Sequence, residues 1–353
     1  MRDIKIRFIL YSLILALCVS CDKEQTYKQK VIATPVFPSK QKLEAKTFEL
    51  SKSVLVPSAM ISDGNNLIIL DSGSDTIFKI FDRESLKFKF EGGVKGQGPG
   101  ELMTPVPSAT FILKDTLEIQ DQNKLKKFLI RDNGLNYSGF DILPMLNEPV
   151  NRLVKLNEDI YFANDVMNSI SSELIKINIR KSQVELRFGK YYDDGLNLSS
   201  TKDTYTTYQK TLTADPKNNR VAAFYLYFNR FKIFDSQGEL LHDVRIKDKE
   251  FGGKDFSFEG KDVNVIYNVA PVSDSKSIFT LQIGRPKNDV FNNYDSFKPN
   301  INVWSWSGEP IAQFELDKPI VVFTVWENKL YGMSMTNSNH VYVYDLSAGL
   351  EYQ

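Results

Sequence analysis

The chain has 353 residues, 42% of them hydrophobic and 25% charged, which is enough apolar content for a sizeable core and too much for a disordered polymer. Lysine plus arginine and aspartate plus glutamate each total 44, with no long basic block, so the electrostatic footprint of a nucleic-acid partner is missing. Cys18 and Cys21 are the only cysteines and both precede the body of the chain, which excludes a disulfide framework or a cysteine-built metal site there.

The first element is a leader. Arg2, Lys5 and Arg7 precede an apolar run from Phe8 to Val19, too short for the about 20 residues of a spanning helix but right for a secretory signal. The run ends in "LCVSC", which resembles a bacterial lipobox, with residues 1–20 as the cleaved signal and Cys21 as the acylated first residue of the mature chain. Acyl chains on Cys21 would anchor the protein to a membrane without spanning it. Residues 21–40 are mostly polar, hold two prolines and show no period, so the sequence predicts a tether.

From residue 41 to 353 the pattern is alternating or β-branched apolar runs, and helical spacing is nowhere sustained. A unit of strand, polar turn and strand recurs six times, at 77–90, 125–140, 174–188, 231–244, 301–314 and 341–352. Each copy follows another strand pair, as in "SAMISDGNNLIILD" and "FILKDTLEIQD". The spacing suits four-stranded propeller blades, so the expected fold is all-β: a single six-bladed β-propeller with strands a to d running outward from the axis. The last unit lacks a fourth strand, and "AKTFEL" at 45–50 precedes the first blade without a partner. Pairing 45–50 with 341–345 is predicted to close the ring and to remove the open edges.

The lipobox, the six units and "GVKGQGPGEL" after the first blade together resemble the TolB-like six-bladed β-propeller lipoproteins of Bacteroidetes-type cell envelopes. The resemblance implies the fold and an envelope address, most simply the outer membrane. It implies no activity and no catalytic residue.

The glycine-rich stretch invites a nucleotide reading, but no Gly-Lys-Ser/Thr follows it and Glu101 stands where a dinucleotide fingerprint needs its third glycine. Two readings remain for 93–101. It is either a rigid crossover shaped by Gly96, Gly98, Pro99 and Gly100, or a concavity of backbone N–H groups that holds an anion with help from Lys95. In the blade map the b–c turns and d–a crossovers share one end of the ring, the top face. That face would present Asp71, Ser74, Asp121, Asn123, Asn164, Asp165, Asn229, Arg230, Arg285, Asn337 and His340 as candidate ligand contacts. Asp and Asn in such turns also bond their own backbone, which is the competing explanation for each of them.

Asp71, Asp121 and Asp165 could supply the carboxylate pair of a polysaccharide hydrolase or lyase. His242 and His340 have no metal-ligand spacing, so neither a metal nor a cofactor is expected. Trp304 and Trp306 share a strand face and are expected to pack between blades five and six. Two long insertions, 189–210 with four tyrosines and 285–300, are predicted to extend the top face. The functional expectation is a lipid-anchored binding or scaffold module for a glycan, a peptide or a partner protein. A top-face hydrolase and an accessory subunit of an outer-membrane transporter are the alternatives.

Overall fold

The computed structural model describes residues 29–32, 36–144, 150–166, 168–169, 171–191, 198, 200–247, 264–293 and 297–350. The leader, Cys21 and the first part of the tether lie outside the described residues. Three short strands come first: β1 (Gln29–Ile32), β2 (Ser39–Leu43) and β3 (Lys46–Glu49). Blade 1 is β4 (Pro57–Ser62), β5 (Asn66–Asp71), β6 (Thr76–Asp82) and β7 (Phe88–Val94), and blade 2 is β8 (Pro105–Leu113), β9 (Thr116–Asp121), β10 (Lys124–Arg131) and β11 (Gly134–Ile142). Blade 3 is β12 (Asn151–Lys155), β13 (Ile160–Asn164), β14 (Leu174–Asn178) and β15 (Gln183–Phe188). Blade 4 is β16 (Lys210–Asp215), β17 (Arg220–Tyr225), β18 (Arg230–Asp235) and β19 (Leu240–Ile246). Blade 5 is β20 (Val265–Ser273), β21 (Ser277–Pro286), β22 (Asn300–Ser305) and β23 (Pro310–Leu316), and blade 6 begins with β24 (Val322–Trp326), β25 (Lys329–Met333) and β26 (His340–Asp345). Two short helices sit in the long insertions, α1 (Thr201–Thr207) and α2 (Lys287–Asn293).

The innermost strands touch in the cyclic order β4, β8, β12, β16, β20, β24 and back to β4, which makes a closed six-bladed propeller. Blade 6 is completed by β3, antiparallel to β26 with Glu49 opposite His340 and Lys46 opposite Val343. The predicted closure is therefore present, and the first five repeat units are the outer hairpins of blades 1 to 5, while the sixth supplies only β26.

The alternation of each middle strand explains the stacking. Along β5 every residue is buried, because the two faces of the strand meet different neighbours. Leu67 and Ile69 join Tyr331, Met333 and Val341 of blade 6, whereas Ile68 and Leu70 join Leu117, Ile119 and Phe128 of blade 2. A strand buried on both faces reads as a near-continuous apolar run, which is what "NLIIL" is. The five outer pairs built from consecutive strands all carry a register shift, as between Ile80 and Phe81 or Ile233 and Phe234. Such bulges raise local twist and bend the outer strand, which suits the splayed rim of a blade.

Two expectations are corrected. The predicted tether carries structure: β1 adds a parallel fifth strand to β19 of blade 4, and β2 adds one to β23 of blade 5. Between them the buried Phe37 rests edge-on against Trp304 with ring centroids 5.1 Å apart, so this segment is strapped to the rim by apolar contact as well as by backbone bonds. Trp304 and Trp306 do share a cluster, but it lies between blades 4 and 5, with Phe224, Phe231 and Ile246, because their strand face turns toward blade 4. Trp326 packs at the junction of blades 6 and 1, with the Arg83 guanidinium 4.9 Å from its ring centre.

Candidate functional site

The nominated carboxylates are structural. Asp71 closes β5 and is fully buried. Its two oxygens accept from the backbone N–H groups of Val56 at 2.9 Å, Leu55 at 3.0 Å and Gly73 at 3.1 Å, with Lys79 Nζ 3.6 Å away. Asp121 repeats the arrangement one blade on, accepting from Thr104 N at 2.6 Å and Met103 N at 3.1 Å and pairing with Lys126 at 2.8 Å. In both blades the carboxylate staples the crossover that delivers the chain to strand a of its own blade. Asp165 instead holds its own turn, through the Asn168 N–H at 3.2 Å and the Ser172 hydroxyl, and pairs with Arg187 at 2.6 Å. Only 0–2% of each of these three aspartates is exposed. With their lone pairs committed inward, they do not form the open carboxylate pair that a hydrolase needs, and that reading loses its residues.

The glycine-rich loop is a crossover that carries its own anion. Leu102 N–H donates to Val94 O at 2.8 Å and Gly96 N–H donates to Leu102 O at 3.0 Å, which folds residues 94–102 into a closed ring. Into that ring points the Glu101 carboxylate, accepting from Gly98 N–H at 2.8 Å. A Cβ at Gly96 would collide with this carboxylate, so a larger residue there would push the Glu101 side chain out of the ring. At Gly100 a Cβ would press on Tyr137 of the next blade. Lys95 caps Ser72 O at 2.8 Å, and Lys126 donates to Glu101 O. The concavity expected to hold an external anion is thus filled by Glu101. Glu101→Ala is expected to cost about 1 kcal/mol and to lower the urea midpoint with little change in slope, because one hydrogen bond at a half-buried N–H is lost.

The other candidates scatter. Asn123 and Asn337 are exposed, and their carbonyls accept from Leu143 N–H at 2.8 Å and His340 N–H at 3.0 Å. The buried Asn164 amide donates to Lys210 O at 3.1 Å. Arg230 is 2% exposed and forks onto Asp243, with Nε 2.6 Å from Oδ1. Half-buried His340 starts β26 beside the closing strand, and Ser74 accepts from Lys79 and from Thr76 N–H within its own turn. Asn229 and Arg285 are different: Asn229 accepts from Asn268 at 3.3 Å, and the exposed Arg285 lies 5.1 Å from the ring centre of Phe297. Phe297, on which Arg285 rests, lines a concavity to which both long insertions contribute.

That concavity is an apolar cavity of about 370 Å³ on the top face of blades 4 and 5, within the range of small-ligand sites. Leu226 and Tyr227 of the blade 4 turn form one side, and Ile266, Val269, Leu281 and Ile283 of β20 and β21 form another. The insertion of blade 5 contributes Lys287, Val290 and Phe297, the crossover into blade 6 contributes Ile320 and Val321, and the end of the 189–210 insertion contributes Gln209. Its lining therefore comes from residues that no sequence motif marks, since an Ile or Val on strand a looks like any other core residue. The two insertions were the legible signal, because each supplies part of the wall.

The wall at Gln209 is supported from below by a buried ionic cluster. Glu173, fully buried, contacts Lys232 and the Tyr225 hydroxyl with its two oxygens, and Lys210 Nζ stands 3.8 Å away. Lys210 also donates to the Tyr191 hydroxyl at 3.0 Å, and Lys232 donates to Lys190 O at 2.6 Å, so both ammonium groups tie down the start of the insertion. Tyr208 stacks on Tyr191 at 4.6 Å and on Phe228 at 5.3 Å, continuing the wall. Burial pushes Lys210 down to about 8, opposed by the nearby Glu173 and reinforced by Lys232. Burial pushes Glu173 up, but the two lysines outweigh it and hold the carboxyl below its ordinary value.

A closed ring of six blades with an apolar cavity on its top face is a six-bladed β-propeller whose fold fits a binding or scaffold module in general. The chain belongs to the TolB-like six-blade propeller family, whose model matches residues 36–328. No curated protein matches its sequence. Among solved structures it is similar to a protein of Bacteroides fragilis NCTC 9343 described as exported, at 12% identity and a TM-score of 0.55, covering 90% of this chain and 99% of that one. It is also similar to a member of the DUF4221 family from Bacteroides vulgatus ATCC 8482, at 12% identity and a TM-score of 0.57, covering 86% of this chain and 97% of that one. At these identities the likeness is one of fold.

Proposed function

We propose that this protein is an exported, lipid-anchored module of the bacterial cell envelope that binds an apolar ligand in the top-face cavity of blades 4 and 5. The cavity carries the reading, since it is where two long insertions and the rigid ring converge, and ten of the twelve described residues that line it are apolar or aromatic. Among the described lining residues a glycan would meet Gln209, Lys287 and the Tyr227 hydroxyl as polar side-chain groups, too few to replace the water around several sugar hydroxyls. The export and anchoring half of the proposal is supported by the basic and apolar leader, by Cys21 after "LCVS", and by the relative described as exported. No helix among the described residues is long and apolar enough to cross a membrane.

Ile266→Trp should fill the cavity from strand β20, and because Ile266 packs in one cluster with Tyr208 and Tyr225 a urea midpoint close to the wild type's accompanies the comparison. In a thermal-shift screen of apolar metabolites and peptides, compounds near 100 times their Kd stabilise the wild type by about 2.7 kcal/mol. The shift is expected to vanish in Ile266→Trp. A compound that stabilises both proteins equally binds elsewhere and removes the cavity from the reading.

A further inference from the structure

We infer that the lower rim of blades 4 and 5 rests on the membrane surface, which holds the propeller with its top face and cavity directed away from the bilayer. The inference rests on the acylated Cys21 of the proposed function and adds which surface of the ring meets lipid. The first observation is the direction of β1. Strand β19 climbs from the c–d turn at the bottom of blade 4 to the crossover at its top, and β1 runs parallel to it, with Gln29 opposite Asp243 and Ile32 opposite Ile246. β1 therefore starts at mid-height on the outer edge of blade 4, with its N-terminal end directed at the bottom. The second is length. Seven residues separate Cys21 from Gln29, so their Cα atoms are at most about 29 Å apart. An extended chain needs about three residues, roughly 10 Å, to pass from the level of Asp243 to that of Leu240, where β19 begins, and the remainder reaches the bilayer. A reversal toward the top would use about four residues in the turn and leave about three, which regain the level of Ile32 and stop below the loops that build the cavity. The third is the surface itself. Leu241 is the extra residue of the bulge in β19, since Phe234 pairs with Leu240 and Ile233 with His242, and it is 43% exposed near the bottom of the strand. Val36, 75% exposed, precedes Phe37, whose ring lies on Trp304 next to the bottom end of β22. Two apolar side chains thus face solvent on the lower rim beside the tether, placed to enter the headgroup boundary while the acyl chains hold the protein there. Leu55, Met103 and Met335 are exposed too, but on the top of blades 6, 1 and 2, the half of the ring opposite β1.

The test uses the mature lipidated chain, reconstituted in vesicles of phosphatidylethanolamine and phosphatidylglycerol that also hold a phosphatidylcholine with a nitroxide on its headgroup. Cys18 leaves with the signal and the Cys21 sulfur is alkylated, so one introduced thiol takes a bimane label at a single place. Lys217→Cys, in the exposed a–b turn at the bottom of blade 4, and Leu241→Cys are compared with Lys247→Cys at the top end of the same blade and Asn123→Cys on the top of blade 2. All four positions are exposed, and a urea midpoint near the wild type's shows that each label reports from the folded ring. Quenching is expected to be at least threefold stronger at the two lower positions than at the two upper ones. Quenching at either upper position that equals or exceeds that at the lower ones overturns the orientation and leaves the anchor standing. Failure of the lipidated chain to float with the vesicles removes the anchor and the orientation with it.

Discussion

Glu173→Leu is expected to destabilise the propeller by about 3–5 kcal/mol, read as a drop in the urea midpoint. The side chain is fully buried between blades 3 and 4, and its removal strips a shared carboxylate from two ammonium groups that are themselves 1–2% exposed. The Tyr225 hydroxyl loses its acceptor at the same time. Adding Lys232→Met to Glu173→Leu should restore part of the loss, since exchanging a buried pair for apolar groups of similar volume is often neutral where breaking it is costly. A double-mutant cycle with no coupling between positions 173 and 232 would show that the pair contributes nothing and that the loss is a packing effect.

The same cluster sets a pH signature. Lys210 ordinarily titrates at 10.5 and in the fold at about 8, so between those values the unfolded chain holds a proton that the folded one has released. Stability then rises with pH across that window, by roughly 2 kcal/mol between pH 8 and 10. Tyr191 and Tyr225 act in the opposite sense above pH 10, because burial and the nearby Glu173 raise both hydroxyls above their ordinary 10.0, and the unfolded chain ionises first. A stability maximum between about pH 9 and 10 is therefore expected in urea titrations. Lys210→Met should flatten the rise without altering the fall. Since Lys210 follows Gln209, ligand binding should weaken along with the cluster in Glu173→Leu.

What was legible in the chain follows from how each feature is encoded. The blades were legible because strands buried on both faces must be apolar throughout, and polar turns recur between them, with a longer interval before the blade 5 unit. Closure was legible because an alternating strand without a partner stood at one end and an incomplete blade at the other. The rim strands β1 and β2 were not, since four or five residues beside prolines give no period and their partners are more than 200 residues away in the chain. Asp71 and Asp121 were misplaced for a chemical reason: an aspartate that staples a crossover and one that awaits a ligand occupy the same turn position, and only the neighbouring N–H groups separate them. The cavity was half legible, its walls as insertions and its lining not at all.

The N-terminal strands divide into one that closes the ring and two that brace it, and truncation should separate these roles. A chain beginning at Ala45 lacks β1 and β2 but keeps β3 against β26. It loses two parallel rim strands and the contact of Phe37 with Trp304, and is expected to stay folded with a lower midpoint. A chain beginning at Ser51 also lacks β3, which leaves β26 as an unpaired edge and frees one side of blade 6. Although all four residues of β3 are exposed, each pairs through the backbone with a strand whose Val341 and Tyr342 are buried in the inter-blade cores. An open edge of that kind invites pairing with other chains, and the longer deletion is expected to aggregate or to unfold without a cooperative transition. Size-exclusion chromatography and urea denaturation distinguish the outcomes. A soluble, cooperatively folding chain from Ser51 would mean that the ring is held by the contacts between innermost strands alone, and that β3 only covers the rim as β1 and β2 do.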